Sequence, residues 1–187
     1  MESRRSAILV GIMIIVAYSM LGSGNPDAKT TGMVLEVISG ASVIGISLLM
    51  YPLFKPFNEN VSRWYRIFRV TEGVFMVITG ILFLSYNPQY LSIRDSIWTG
   101  HTVVFIAGAF TFYYLFYISN LIPKWLSIYG IIATISLTIG NILEYTQIAP
   151  QMMIFYLPII SNEVILAIWL IVKGFNQDAV PMEINEE

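Results

Sequence analysis

Residues 152–173, MMIFYLPIISNEVILAIWLIVK, form an apolar run with one charged side chain, Glu163, before the closing lysine. A helix needs about 20 mostly apolar residues to cross a bilayer, so this run is long enough to span one. Five further runs of similar length lie between turn segments rich in Gly, Pro, Asn and Ser. We therefore predict an all-α, polytopic membrane helix bundle with six transmembrane helices. The predicted spans are 6–21, 33–54, 64–85, 98–119, 125–147 and 152–173.

The composition of the chain agrees with a bilayer environment. Of its 187 residues, 56% are hydrophobic and 12% are charged, whereas ordinary soluble domains carry about 25% charged residues. A soluble fold of this length would lack the polar residues that its surface needs. The absence of cysteine excludes disulfides, thiolate metal ligands and cysteine nucleophiles. A net charge of −2 without a basic stripe argues against a nucleic-acid partner.

The distribution of basic residues predicts the orientation of the bundle. Cytoplasmic loops of membrane proteins carry an excess of Lys and Arg. With the N-terminus inside, the outer side receives only Lys29 and Arg94, and both termini are predicted to be cytoplasmic. A secretory signal over the first apolar run is the less favoured alternative. The inner side receives Arg4, Arg5, Lys55, Arg63, Arg66, Arg69, Lys124 and Lys173.

Two units are predicted along the chain. Residues 1–175 form the six-helix transmembrane domain, and residues 176–187 form an acidic cytoplasmic tail with too little apolar content to fold alone. Within the third predicted span, Gly73 and Gly80 lie one heptad apart. Small residues at such a spacing let helices approach closely, so these glycines predict a packing seam.

Charged residues inside the predicted spans form the first candidate site. Arg69 and Glu72 are three residues apart and share a helix face, which predicts an ion pair. Glu163 lies at a comparable depth beside Asn162, and we expect it to share Arg69 in a Glu–Arg–Glu arrangement between the third and sixth helices. Two interpretations stay open for this buried charge cluster. It is either a structural clamp or the polar lining of a cavity whose carboxylates take up protons or a cationic ligand.

A second group of polar residues is predicted near the outer face. Glu36, His101, Asn141 and Glu144 all fall close to outer ends of spans. Glu36, His101 and Glu144 are candidate ligands for a divalent metal or candidate acid–base groups. The signal is weak because no ligand spacing such as HExxH is present. An interfacial histidine without a metal is the favoured alternative for His101.

Three stretches resemble a known family in order and spacing: YRIFRVTEGVF, SNLIPKWLSIYGI and NEVILAIWLIVKGF. They resemble the uncharacterised prokaryotic multi-pass membrane family catalogued as domain of unknown function 4386. The resemblance implies a polytopic protein of a prokaryotic plasma membrane and supplies no substrate, activity or cofactor. By position, the family pattern falls on Arg69, Glu72, Pro123, Trp125, Glu163, Lys173 and Gly174.

Three classes of function remain open from the sequence. We favour a sensor or transport-like protein that binds a lipid or small hydrophobic ligand in a pocket lined by intramembrane carboxylates. The first alternative is an intramembrane metal-dependent or acid–base enzyme that uses the outer-face residues. The second is a structural or accessory subunit, in a homo-oligomer or with a partner membrane protein. The expected partners include membrane lipids and exclude nucleic acid, and the residues identify no cofactor.

Overall fold

The computed structural model describes residues 2–23, 28–85, 87–148 and 150–180. Within these ranges the chain forms six α-helices and no strand, which confirms the predicted all-α class. A short 3-10 helix, Tyr18–Gly22, continues the first helix. The helices are α1 (Glu2–Ala17), α2 (Lys29–Phe54), α3 (Glu59–Phe83), α4 (Pro88–Ser119), α5 (Lys124–Tyr145) and α6 (Met153–Val172).

Asparagine and proline residues in the turns set where the middle helices begin and end. The Asn58 side chain accepts a hydrogen bond from the Val61 N–H and caps α3. The Asn87 side chain accepts one from the Gln89 N–H and caps α4. Because proline suits the first position of a helix, α4 begins at Pro88, ten residues before the predicted start at 98. Asn120, in the left-handed conformation at φ 54°, ends α4.

The six helices pack as a closed ring. Each helix packs against its neighbours in the chain, and α1 packs against α6. The Arg4 guanidinium donates hydrogen bonds to the Ile171 and Val172 carbonyls, so the start of α1 lies beside the end of α6. We call this end, which also carries the α2–α3 and α4–α5 turns, the terminal end, and the other end the opposite end.

Five of the helical segments are long and apolar enough to cross a membrane, which fits a membrane protein. They are α1 with its 3-10 extension, α2, α4, α5 and α6. Among the described helices, α3 falls outside this set. It carries Arg66, Arg69 and Glu72 in its first half and middle, and these lower its apolar content.

Glycines at the α2–α3 interface bring these two backbones together. A Cβ atom on Gly40 would lie 2.5 Å from the Gly73 carbonyl oxygen, and one on Gly73 would lie 2.6 Å from the Gly40 carbonyl oxygen. Further along, a Cβ on Gly80 would lie 3.0 Å from Cβ of Glu36. The predicted seam at Gly73 and Gly80 is therefore present, and it fixes the position of Glu72 next to it.

Residues 176–180, the first part of the predicted tail, pack on the terminal end. The Asn176 N–H donates to the Leu121 carbonyl at 2.8 Å, and the Ser3 hydroxyl donates to the Gln177 side-chain oxygen at 2.9 Å. Val180 is buried. Residues 181–187 lie outside the described residues, so the disorder of that part of the tail stays a prediction.

Candidate functional site

A buried ion pair lies in the middle of α3. Arg69 Nη1 donates to Glu72 Oε2 at 2.8 Å, and the two side chains are 5% and 3% exposed. Glu72 lies about 20 Å from the start of α3 at about 1.5 Å per residue, close to the centre of this 25-residue helix. The ion pair predicted from the three-residue spacing is formed, and it lies far from both ends of the bundle.

One face of α4 encloses the Arg69 side chain. The guanidinium carbon lies 5.7 Å from the ring centroids of both Phe105 and Phe112, within cation–π distance. Between them, a Cβ on Gly108 would lie 3.0 Å from Arg69 Cδ, so glycine leaves room for the arginine stem. Helical spacing places these three residues on one face. The Arg69 charge is thus held by one carboxylate and two aromatic rings.

Glu163 differs from its predicted arrangement. It is buried on α6, and its Oε2 accepts a hydrogen bond from the Tyr18 hydroxyl at 2.8 Å. Within the described ranges Arg69 pairs directly with Glu72 and not with Glu163, although Arg69 lies within electrostatic range of Glu163. The predicted Glu–Arg–Glu arrangement is therefore not formed. Glu163 is hydrogen-bonded instead to Tyr18, at the start of the 3-10 helix.

Several buried polar atoms around this pair form no hydrogen bond of regular geometry with the described residues, and we call them unpartnered. Asn162, fully buried, leaves both its amide nitrogen and its amide oxygen in this state. The Tyr113 hydroxyl is unpartnered as well, although it lies close enough to Asn162 for a weak interaction. The same holds for the Tyr65 hydroxyl and Arg69 Nε, which lie beside each other. We call the whole set the mid-bundle polar cluster: Tyr18, Tyr65, Arg69, Glu72, Tyr113, Asn162 and Glu163.

The chemistry available at the mid-bundle polar cluster is mainly that of neutral hydrogen bonding. The Asn162 amide and the Tyr113 hydroxyl can each donate and accept, whereas the carboxylates already have partners. The Tyr113 ring packs directly against Gly130 of α5. A side chain at position 130 would overlap the ring. Because buried polar groups in proteins are almost always hydrogen-bonded, this concentration of unpartnered atoms marks the cluster as the leading candidate site.

The structure separates the predicted outer-face residues. Fully buried Glu36 pairs with Arg94 of α4, with 2.6 Å between Oε1 and Nη2, and the same oxygen accepts from the Ser23 hydroxyl at 3.1 Å. Glu144 instead accepts from the Tyr156 hydroxyl at 3.0 Å. Asn141 donates to the Leu137 carbonyl at 2.8 Å. Glu36 and Glu144 are thus engaged by different helices.

His101 does not join either carboxylate. It stacks on Trp98 with ring centroids 5.2 Å apart, and Arg69 lies within its electrostatic range. Its Nε2 is buried and has no partner among the described residues. Among those residues, no group of three or more His, Asp or Glu side chains lies close enough to hold a metal ion. The predicted convergence of Glu36, His101 and Glu144 is therefore not formed.

Sequence reasoning missed several residues of these contacts. Arg94 was assigned to a turn, although Asn87 and Pro88 signal a helix start ahead of it. Tyr113 lies in FTFYYLFYIS, where apolar and aromatic residues surround the helix and hide which face is buried. Phe105, Gly108 and Phe112 place a small residue between two aromatic residues on one helix face. This pattern could have identified the face of α4 that packs on Arg69.

Comparison with known proteins gives a family without an assigned activity. A family model described as "Domain of unknown function (DUF4386)" matches residues 16–174. A curated relative from Archaeoglobus fulgidus, described as an uncharacterized protein, is 26% identical over 132 residues. The alignment covers 70% of this chain and 76% of that relative. No solved structure matches the chain.

Proposed function

We infer that this chain, which belongs to the family described as "Domain of unknown function (DUF4386)", binds a lipid or small hydrophobic ligand within the membrane. The observation that carries this proposal is the set of unpartnered atoms on Asn162 and Tyr113 beside the Arg69–Glu72 pair. Leaving a buried donor or acceptor unsatisfied costs about 1–3 kcal/mol. A ligand that hydrogen-bonds these groups recovers that energy.

The chemistry of the cluster narrows the ligand. Arg69 and Glu72 neutralise each other, and Glu163 accepts from Tyr18. The unpartnered groups beside them therefore favour an uncharged head such as a hydroxyl, carbonyl or amide. Apolar side chains surround the cluster and suit a hydrocarbon body. An amphiphile with a neutral polar head fits both requirements, in a sensor or transport-like role.

The ligand must displace side chains to reach the cluster. A cavity of about 470 Å³ lies at the terminal end. Its lining residue Lys173 is about 15 Å from Glu163 along α6. We propose that the Tyr113 side chain moves on binding, since no hydrogen bond of regular geometry holds its hydroxyl in place.

The proposed membrane placement has all six helices spanning. Since α3 lies between α2 and α4 in the ring, it crosses with them, and its pair Arg69–Glu72 faces inward. The bias of basic residues towards the terminal end supports a cytoplasmic position for that end and for both termini. The relative comes from an archaeon, and a prokaryotic source together with the apolar helices supports the plasma membrane as the location.

Native mass spectrometry of the full chain released from membranes in mild detergent tests the binding proposal. The wild type is expected to retain an adduct whose mass is that of an uncharged lipid or metabolite and differs from that of a phospholipid. Asn162→Leu removes both unpartnered amide atoms, so it should lose that adduct. The control Ser161→Ala removes the neighbouring hydroxyl, which is exposed and already bonded, and should keep the adduct.

Thermodynamic stability separates loss of binding from loss of folding. Because Asn162 forms no hydrogen bond of regular geometry with the described residues, Asn162→Leu should not destabilise the ligand-free protein. An adduct of an uncharged lipid or metabolite that persists in Asn162→Leu, or a wild type without such an adduct, contradicts the proposal. The cluster is then structural, with Tyr18 and Glu163 joining α1 to α6 and Arg69 packing on α4.

A further inference from the structure

The cavity at the terminal end lies where the α4–α5 turn meets the end of α6. It measures about 470 Å³, and its lining includes Pro123, Lys124, Trp169, Lys173 and Gly174. The hydrogen bond from the Asn176 N–H to the Leu121 carbonyl joins its two walls. We call it the lysine cavity.

The lining of the lysine cavity is positively charged. Both lysines are exposed, and none of the lining residues, all of which the structure describes, is acidic. Within the described ranges neither lysine forms an ion pair. Lys124 lies over the Tyr117 ring, 5.6 Å from its centroid, which leaves its ammonium group open to an anion.

Backbone groups at the lysine cavity favour an anion as well. Lys124 begins α5 without a side-chain cap, so the N–H groups of Lys124 and Trp125 remain available, whereas the next two donate to the Pro123 carbonyl. The carbonyl groups at the C-terminal end of α6 create a negative potential, which by itself would repel an anion. Arg4 offsets this negative potential, because its guanidinium carries a positive charge and donates hydrogen bonds to the Ile171 and Val172 carbonyls at 2.9 Å each.

The surroundings of the lysine cavity suit a lipid better than a free phosphate ion. Trp169 lines it, and Trp125 packs edge-on against Trp169 with centroids 6.5 Å apart. Tryptophan is enriched at the depth of lipid headgroups. Next to it, exposed apolar side chains on α5 and α6, including Ile128, Ile168 and Val172, offer a path for acyl chains.

We propose that the lysine cavity binds the phosphate group of a membrane phospholipid, with the acyl chains lying along α5 and α6. Basic pockets between transmembrane helices are known to bind anionic headgroups. This site is separate from the mid-bundle polar cluster. The two proposals can fail independently, because Asn162→Leu leaves the lysine cavity intact.

Lipid titration followed by native mass spectrometry tests this site on the full chain in mild detergent. The probes are dioleoylphosphatidylglycerol and dioleoylglycerol, which share acyl chains and differ in the phosphate. The wild type should bind the phospholipid at least about tenfold more tightly. K124Q/K173Q should weaken phospholipid binding about 30-fold, and either single substitution about fivefold, without changing dioleoylglycerol binding.

Lys55→Gln is the matched control, because Lys55 is an exposed lysine in the α2–α3 turn at the same end. It should change phospholipid affinity less than about twofold. Equal losses in Lys55→Gln and K124Q/K173Q, or no loss in K124Q/K173Q, would overturn the site. Glycerol 3-phosphate that binds as tightly as the phospholipid would overturn the lipid assignment and identify a soluble phosphate ester as the ligand.

Discussion

Replacing Arg69 with methionine should destabilise the bundle far more than the same replacement of Arg63 on the same helix. Methionine keeps much of the length of the side chain between Phe105 and Phe112 but removes the charge that faces Glu72. The Glu72 carboxylate then remains in the middle of the bundle, 3% exposed and without its cation. The perturbation therefore measures the cost of an unpaired buried charge.

The magnitude follows from the burial of the two ion pairs on α3. Breaking a buried pair by removing one partner costs about 3–5 kcal/mol. The Arg63–Glu59 pair has a similar distance, 2.7 Å, but its side chains are 60% and 46% exposed. Solvent screens such an exposed pair, so it adds little to stability. Arg69→Met should thus cost about 3–5 kcal/mol, and Arg63→Met far less.

The double variant Arg69→Met/Glu72→Met tests the cause of the loss. It removes both charges, so most of the stability lost in Arg69→Met should return. The assay is unfolding in mixed micelles of mild detergent and sodium dodecyl sulfate, followed by helical circular dichroism. If Arg69→Met costs no more than Arg63→Met, or if the double variant is as unstable as Arg69→Met, the account of a buried compensated pair is wrong.

Two further predictions concern packing and topology. Gly73→Ala should destabilise the protein, because its Cβ would lie 2.6 Å from the Gly40 carbonyl oxygen. In the control Gly100→Ala the nearest atom to the new Cβ is 3.7 Å away, so this variant should be neutral or stabilise by up to about 1 kcal/mol. Thermal unfolding measures the stability of both variants. Because the chain lacks cysteine, Lys55→Cys and Gln151→Cys can be labelled singly with an impermeant maleimide. They should react from opposite sides of sealed vesicles, and reaction from one side would show that α3, α4 and α5 do not all cross.

Most helix positions were predictable because long apolar runs separated by turn residues suffice to locate them. The fifth predicted span, 125–147, differs from α5 (Lys124–Tyr145) by one or two residues at each end. The fourth differs most, since polar residues after Pro88 suggested a turn. In the structure this stretch is helical, and its Arg94 reaches Glu36, a contact that only the packing of α4 on α2 creates.

The candidate site was predictable where its contacts are local. Arg69 and Glu72 lie on one helical turn, so their spacing alone predicted the ion pair. The partner of Glu163 could not be predicted in this way, because Tyr18 is distant in sequence and contacts Glu163 only through the packing of α1 on α6. In apolar helices every face looks alike in sequence, which is why Tyr113 and the separation of Glu36 from His101 were missed.

A crystal structure of the full chain, extracted from its membrane and crystallised in a lipidic phase, tests the central claim most directly. Binding at the mid-bundle polar cluster predicts elongated density that is neither protein nor water, within hydrogen-bond distance of the Asn162 amide and the Tyr113 hydroxyl. If these two side chains bind only single water molecules, or no molecule at all, with protein filling the remaining space, the cluster is not a ligand site.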